Sequence, residues 1–468
     1  MLLNFSVSEV KSLFVIRLAY FLLLLALFFL CARFRLEKIL APISAGLAAI
    51  LFCYGILQKF VLFPWALDQL GSGSSFYTQA SRARLASGRI FAIFPLPTLY
   101  ALVCGLLLIF IIHYLYHARG IRRALWGILL LLGGCNLVLT ESFGGILFFT
   151  AGILFYLFAS RIFKIKYLAP LLMVLALVLF MVTALRFSEA QELAPAKLRF
   201  ANWQQAGRLI ASAPLLGVGL GNYETAVPAQ VLKGEPASIY AHNFFLQLAA
   251  EAGLPLFVLL AFIGWPFLRK NLGGFLRPEN ALFASACILV LFFNLFDVGN
   301  YFFAAGVSFA IALSQAVVLE GPARPRHFAA VVLLAVLLLA NEAGASRQRS
   351  GDLWLSRQDP ARAETLYRGA LAITPFSYRS WLGLAHIAWE RGDQGQAEAF
   401  AGRVVRIYPH QPYANYLLSQ AAWRRGAYWT ALVRASQAAV ANKKNLNYQR
   451  WHETIQSALA RQFPLPGN

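Results

Sequence analysis

The chain has 468 residues, 59% of them hydrophobic and 13% charged, with a formal net charge of +21. Soluble domains sit nearer half apolar and a quarter charged, so a soluble globular protein is excluded. The basic balance does not point to nucleic acid, because much of it lies in short loops between apolar runs, where it acts as a topology signal.

Apolar runs long enough to cross a bilayer are read at about 12–32, 39–63, 92–116, 124–140, 144–160, 168–187, 254–269, 281–297, 301–319 and 327–343. Lipid cannot satisfy open backbone groups, so the expected class is all-α, a polytopic membrane helix bundle of about ten or more spans. The first run is long and lacks a small-residue cleavage site, so it reads as a span and not as a cleaved signal peptide. Five alternate loops, "ARFRLEK" (32–38), "HARGIRR" (117–123), "RIFKIK" (161–166), "RKNLGGFLR" (269–277) and "EGPARPRH" (320–327), carry an excess of Arg and Lys. That alternation assigns them to the cytoplasmic side. Residues 64–91, the long loop 188–253 and everything after about 344 then lie on the other side, with the N-terminus. Lys11 and Arg17 run against that placement of the N-terminus and leave room for a re-entrant first segment. Cys31, Cys53, Cys104, Cys135 and Cys287 all fall in or beside apolar runs, so neither disulfides nor a cysteine metal site is expected.

On the non-cytoplasmic side, the loop 64–91 offers Asp68, Arg82, Arg84 and Arg89. In the long loop, "KLRFANWQQAGRLIAS" reads as an amphipathic helix of about four turns ended by Pro214. Arg199 and Trp203 are spaced i, i+4 and share a face, whereas Arg208 points to roughly the opposite side. Two readings of this helix stand: a ligand-facing stripe, or an interfacial helix with snorkelling arginines and a tryptophan belt. "GVGLGNY" (217–223) has no preceding strand and the wrong spacing for a dinucleotide loop, so its glycines are read as a turn that lets backbone approach a ligand or another helix. A further helix is expected to begin near His242, in "YAHNFFLQLAAEAGLP", and to break at Gly253. Glu251 falls about half a turn away from the histidine and so does not orient it within that helix. His242 itself reads either as a hydrogen-bonded structural residue or as a catalyst.

After residue 344 the composition changes. Ala363, Ala397 and Ala431 recur at a step of 34, as do Gly392 and Gly426, Pro375 and Pro409, and Leu384 and Leu418. Small residues where helices touch, a turn glycine and a proline after each second helix make a tetratricopeptide pattern. The expected organisation is therefore a membrane domain over 1–343, with the loop 188–253, and an extracytoplasmic α-helical repeat domain over 344–468. From 345 onward there are 16 Arg and Lys against 7 Asp and Glu. This basic surface is either a solvated face near anionic headgroups or a docking surface for an acidic glycan or a protein partner.

What is missing narrows the chemistry. There is no D-x-D pair or carboxylate cluster for a divalent cation, no His or Cys spacing for zinc, and no G-x-S-x-G for a serine hydrolase. No metal or cofactor is therefore expected. One histidine, several arginines and lipid walls suit chemistry on a phosphorylated lipid, with cationic side chains holding the phosphates.

The order R-x-x-x-W, P-x-x-G-x-G, H-N-x-x-L and E-x-G-L-P resembles the O-antigen ligase and polymerase superfamily, bacterial inner-membrane glycosyltransferases. The matching residues are Arg199, Trp203, Pro214, Gly217, Gly219, His242, Asn243, Leu246, Glu251 and Gly253. "GRIFAIFPLPTLYA" (88–101) is similar to an earlier segment of the family, and the resemblance covers roughly residues 60 to 320. It implies transfer of a glycan from undecaprenyl pyrophosphate to an acceptor hydroxyl at the periplasmic face, with inversion and without a metal. The acceptor would be a glycan, a lipid or a protein; in the last case the chain would be a protein O-oligosaccharyltransferase. The resemblance implies His242 and Arg199 as catalytic residues. Arg84, Arg89, Arg208, Trp203, Tyr240, Asn243 and Glu251 are the candidate substrate-binding residues. One departure stands out: the family's T-x-S-R-G stretch reads "TESFGG" here, with Phe143 at the arginine position, so either another cation such as Arg84 or Arg89 takes its place or the phosphates are bound differently. The rival expectations are a transporter for a lipid-linked saccharide and a non-catalytic scaffold that recruits partners through its repeats.

Overall fold

The computed structural model describes residues 2–69, 82–162, 194–232, 235, 238–317, 325–443 and 445–462. The expected span 168–187 lies outside these residues. Among the described residues all regular structure is helical, so backbone hydrogen bonds are closed locally, as a hydrocarbon environment demands. A short helix α1 (Leu2–Val7) precedes α2 (Lys11–Cys31), α3 (Glu37–Leu57), a π-helical turn (Gln58–Leu62) and α4 (Phe63–Gln69). Next come α5 (Pro97–His117), α6 (Ile121–Leu139) and α7 (Phe143–Ala159). Beyond residue 193 follow α8 (Ala194–Ser212), α9 (Tyr223–Ala226), α10 (Phe244–Ala252), α11 (Leu254–Phe275), α12 (Ala281–Phe296) and α13 (Phe303–Ala316). The last helices are α14 (Pro325–Ser356), α15 (Pro360–Ile373), α16 (Tyr378–Glu390), α17 (Gln394–Ile407), α18 (Pro412–Arg424), α19 (Tyr428–Ala441) and α20 (Leu446–Gln462).

Among the described residues, six helical stretches are long and apolar enough to cross a membrane by length and composition, and α7 and α13 are shorter apolar helices beside them. Their outward surfaces stay apolar: Leu131 is 72% and Leu333 71% exposed. A water-soluble protein does not tolerate such a belt, whereas lipid covers it at no cost. The interior packs α5, α7 and α12 around Leu102, Ile109, Phe148, Leu289 and Phe293. Asn136, fully buried there, donates to the Phe52 and Leu132 carbonyls at 3.0 and 2.8 Å and accepts from the Tyr100 hydroxyl at 2.8 Å. A polar side chain at this depth must be satisfied by protein, and this one is.

Contacts sort the connections into two ends. At one, His113 lies 3.3 Å from Glu37, and the Gln315 amide donates to the Cys31 and Phe34 carbonyls at 2.8 and 2.9 Å. The basic loops 32–38, 117–123 and 269–277 open there. The opposite end holds the N-terminus. Val10 N–H donates to Asn222 Oδ1 at 2.7 Å, and Leu220 N–H donates to Asn4 Oδ1 at 3.1 Å. A short extra segment, α1, thus precedes the first long apolar helix and lies against the 213–222 turn.

The composition break at 344 is not a break in the backbone, because α14 runs through it for 32 residues. Its first half packs on α2, and α15 packs against it further on. In the helices that follow, Ala363, Ala397 and Ala431 are fully buried, so the 34-residue step places a methyl where neighbouring helices approach most closely.

Candidate functional site

The site is built at the end opposite the basic loops, where α8, α10 and α12 converge. α8 contributes Trp203, whose indole N–H donates to the His242 carbonyl at 3.2 Å and whose ring lies 6.2 Å from that of Phe296. One turn earlier on the same face stands Arg199, half-buried and, among the described residues, without a hydrogen-bond or ion-pair partner.

The helix expected to start near His242 starts two residues later, at Phe244. The reason is the cap: Asn243 Oδ1 accepts the Leu246 N–H at 2.9 Å, and its amide donates to the Leu295 carbonyl at 2.8 Å. His242 is therefore outside the helix, with φ +50°. A non-glycine residue held there costs about 1–3 kcal/mol, a strain found mostly where function demands the geometry. Asn243 thus caps α10 and ties it to the end of α12.

The strained backbone aims the imidazole at a carboxylate that sequence reasoning did not single out. His242 Nδ1 lies 3.2 Å from Asp297 Oδ1, and Asp297 is 3% exposed at the end of α12. Asp297 also accepts the Val298 N–H at 2.9 Å, while its carbonyl accepts the Phe244 N–H at 3.1 Å. Burial alone would raise its pKa. The His242 hydrogen bond and charge, the Val298 N–H and the Arg199 charge outweigh burial and hold the carboxyl below the usual range. Arg199 and His242 thus act on one carboxylate. A sequence signal existed: Asp297 is the sole charged residue between 281 and 319, at the edge of an apolar run. An ionisable group there is costly enough to mark a site.

Tyr240 completes this side, its ring 6.5 Å from that of His242 and 5.7 Å from that of Phe302. Burial pushes its hydroxyl pKa up, reinforced by the charges of Glu224 and Asp297 and opposed by Arg17 and Arg379.

Other candidates are engaged elsewhere. Glu251 is 1% exposed and accepts from Gly221 N–H at 2.6 Å, the Tyr301 hydroxyl at 2.7 Å and the Gln247 amide at 3.2 Å. Burial pushes its pKa up, against the charge of Arg17 and these hydrogen bonds. It is a structural hub and not a group facing His242. Beside it the glycine turn is spent on backbone packing: Val218 N–H and Gly219 N–H donate to the Ala250 and Glu251 carbonyls at 3.0 and 2.9 Å. Gly217 and Gly219 have φ of +63° and +96°, and a Cβ would lie 2.5 Å from Glu251 backbone or 2.0 Å from Ser8 Oγ. Of the two expectations for this turn, approach to a helix is the one realised. Arg208 pairs with Glu235 and donates to the Gln230 carbonyl at 3.0 Å, so it folds the 227–235 segment instead of facing Arg199. Arg84 donates to the Pro95 carbonyl and stacks 4.3 Å from the Phe91 ring. Arg89 donates from Nε to the Thr140 carbonyl at 3.1 Å, which sets it beside the "TESFGG" turn. That turn leads into α7, whose Phe148 ring stacks 5.5 Å from Phe296, the neighbour of Trp203.

An all-helical apolar bundle with a strained histidine, a buried aspartate and an arginine at one end defines a membrane protein with an ionisable site at its rim. Among comparisons with known proteins, a family model described as O-Antigen ligase matches residues 127–261. No curated protein matches the chain. The match supports the O-antigen ligase superfamily and glycosyl transfer in general. It takes in Arg199, Trp203, Tyr240, His242 and Glu251, and it leaves Asp297 and the C-terminal helices outside.

Proposed function

We propose that the chain is a multi-pass membrane glycosyltransferase that moves a glycan from a lipid pyrophosphate to an acceptor hydroxyl, with the bulk of the reaction carried by His242, Asp297 and Arg199. The observation that carries this reading is the strained His242 bonded to the buried Asp297, whose charge Arg199 also meets. With Nδ1–H donated to Asp297, the imidazole presents Nε2 as a lone-pair nitrogen. The acceptor hydroxyl gives its proton to Nε2 while its oxygen bonds to the anomeric carbon. The bond from that carbon to the pyrophosphate oxygen breaks, and the electron pair leaves with the pyrophosphate. Attack from the face opposite the leaving group inverts the centre.

Arginine offers planar paired donors to a phosphate gaining charge, and Arg199, half-buried and bearing on the same carboxylate as His242, is placed for that task. Asp297 stabilises the imidazolium as it forms and holds the ring in one tautomer, as a buried carboxylate does in a catalytic triad. Arg89, beside the turn where Phe143 replaces the family arginine, is the second cation of the reading. The donor is taken to be undecaprenyl pyrophosphate-linked, the site to face the periplasm from the bacterial inner membrane, and the C-terminal helices to be the tetratricopeptide-like domain beginning near 344.

The test is transfer by purified protein supplied with a lipid-pyrophosphate glycan and candidate acceptors. His242→Ala and Arg199→Ala should each abolish transfer while the protein stays folded. The loss corresponds to about 2.7–4 kcal/mol of barrier for a lost charge-stabilising partner. Near-normal transfer by either variant would remove that residue from the mechanism.

A further inference from the structure

The C-terminal helices meet the rest of the chain through their turns, and the meeting point is next to the site. The α15–α16 turn brings Arg379, whose Nη2 donates to Glu224 Oε2 at 2.8 Å, and Tyr378, whose hydroxyl donates to Glu224 Oε1 at 3.3 Å. The α17–α18 turn brings Tyr408, whose hydroxyl donates to the Thr225 carbonyl at 3.0 Å; its ring lies 5.2 Å from that of Tyr378. The same turn brings His410, 2.7 Å from Glu9 through Nδ1. Two consecutive residues of α9 are therefore gripped by two alternate interhelical turns, α15–α16 and α17–α18. From α9 the chain runs through Gln230 and Glu235, both held by Arg208, to Tyr240 and His242. Glu224 and Arg379 also stand close enough to Tyr240 for their opposite charges to bear on its hydroxyl.

We infer that Arg379, on the C-terminal helices, is a positioning residue for His242: by clamping Glu224 it fixes α9 against Tyr240, the neighbour of the strained histidine. This rests on the proposed transfer reaction for its rate consequence, though not for its structural one. A residue kept at φ +50° needs its flanking backbone held, and one flank is Asn243, capped on α10. On the other flank is Tyr240, whose ring lies 6.5 Å from that of His242 and beside the Arg379–Glu224 pair. The C-terminal helices are on this view a wall of the site, and anything that binds them and shifts their turns would be felt at His242.

The experiment uses the full chain in detergent micelles, with two readouts. By hydrogen exchange, Arg379→Gln and Glu224→Gln should each speed exchange of amides in 223–243 by about tenfold, since a local anchor is lost without global opening. Arg391→Gln, which removes a pair with Glu364 away from this contact, should leave it unchanged. By transfer kinetics, Arg379→Gln should lower kcat by about tenfold, with KM for the lipid-linked donor little changed, because misplacing a reacting group raises the barrier without weakening donor contacts. The reversed pair R379E with E224R should recover both readouts. Unchanged exchange in 223–243 in both single variants would overturn the inference, as would a fall in kcat that the reversed pair does not recover. Exchange decides the coupling even if the wild-type chain transfers no glycan, a result that would sink the functional reading alone.

Discussion

Asp297 and Glu251 are both buried carboxylates at the same end of the bundle, and they are opposites. Glu251 is surrounded by donors from three elements, at 2.6, 2.7 and 3.2 Å, and burial pushes its pKa up. Asp297 is held ionised, and its principal partner is an imidazole set on strained backbone with its side chain 26% exposed. One region spends its carboxylate on internal donors, while the other pairs its carboxylate with a partly exposed imidazole. Burial alone therefore does not mark a reactive group; what matters is whether its partners leave anything free to react.

That contrast can be attacked from both sides. Glu251→Ala should have the largest effect on stability, about 1–3 kcal/mol for each buried donor it leaves unpaired, read as a fall in the thermal midpoint of the purified protein. Loss of transfer should then accompany loss of folded protein. Asp297→Asn should do the reverse, with the fold kept and transfer lowered by about a hundredfold through loss of imidazolium stabilisation. An Asp297→Asn protein with wild-type turnover would dissolve the distinction drawn here. Asn243→Ala should cost about 1 kcal/mol through the lost cap, and it should lower turnover more than an equally destabilising change at a distant helix start, since it frees His242.

The smallest effects concern pH, and they have opposite signs. Asp297 has a depressed pKa, so the stability it contributes is present above its unfolded value and is lost as pH falls through the folded one. Glu251 has a raised pKa, so its contribution is full below the unfolded value and is lost as pH rises through the folded one. Stability measured against pH should therefore lose part of its acid limb in Asp297→Asn and part of its decline with rising pH in Glu251→Gln.

Much of this was legible in the chain. Among the described residues the apolar runs anticipated the helices, the basic loops 32–38, 117–123 and 269–277 anticipated connections that share an end, and the i, i+4 spacing placed Arg199 and Trp203 on one stripe. The 34-residue step anticipated the buried alanines at 363, 397 and 431. Helix boundaries were less secure where a side chain decided them. His242 was read as part of a helix because the apolar pattern reaches it, but the Asn243 cap excludes it. Arg208, which the helix spacing turns away from Arg199, pairs with Glu235, and Glu251, a residue of the family motif, is bonded to Gly221, Tyr301 and Gln247.

Periodicity and charge, both local properties, determined that this protein is a helical membrane bundle with basic loops gathered at one end. They did so because backbone hydrogen bonding in lipid and the placement of Arg and Lys depend on each segment by itself. The pairing of His242 with Asp297, 55 residues away, and the clamp between Glu224 and Arg379, 155 residues away, were decided only by tertiary structure. Such contacts depend on how separate helices pack against one another, and no spacing along one helix encodes that.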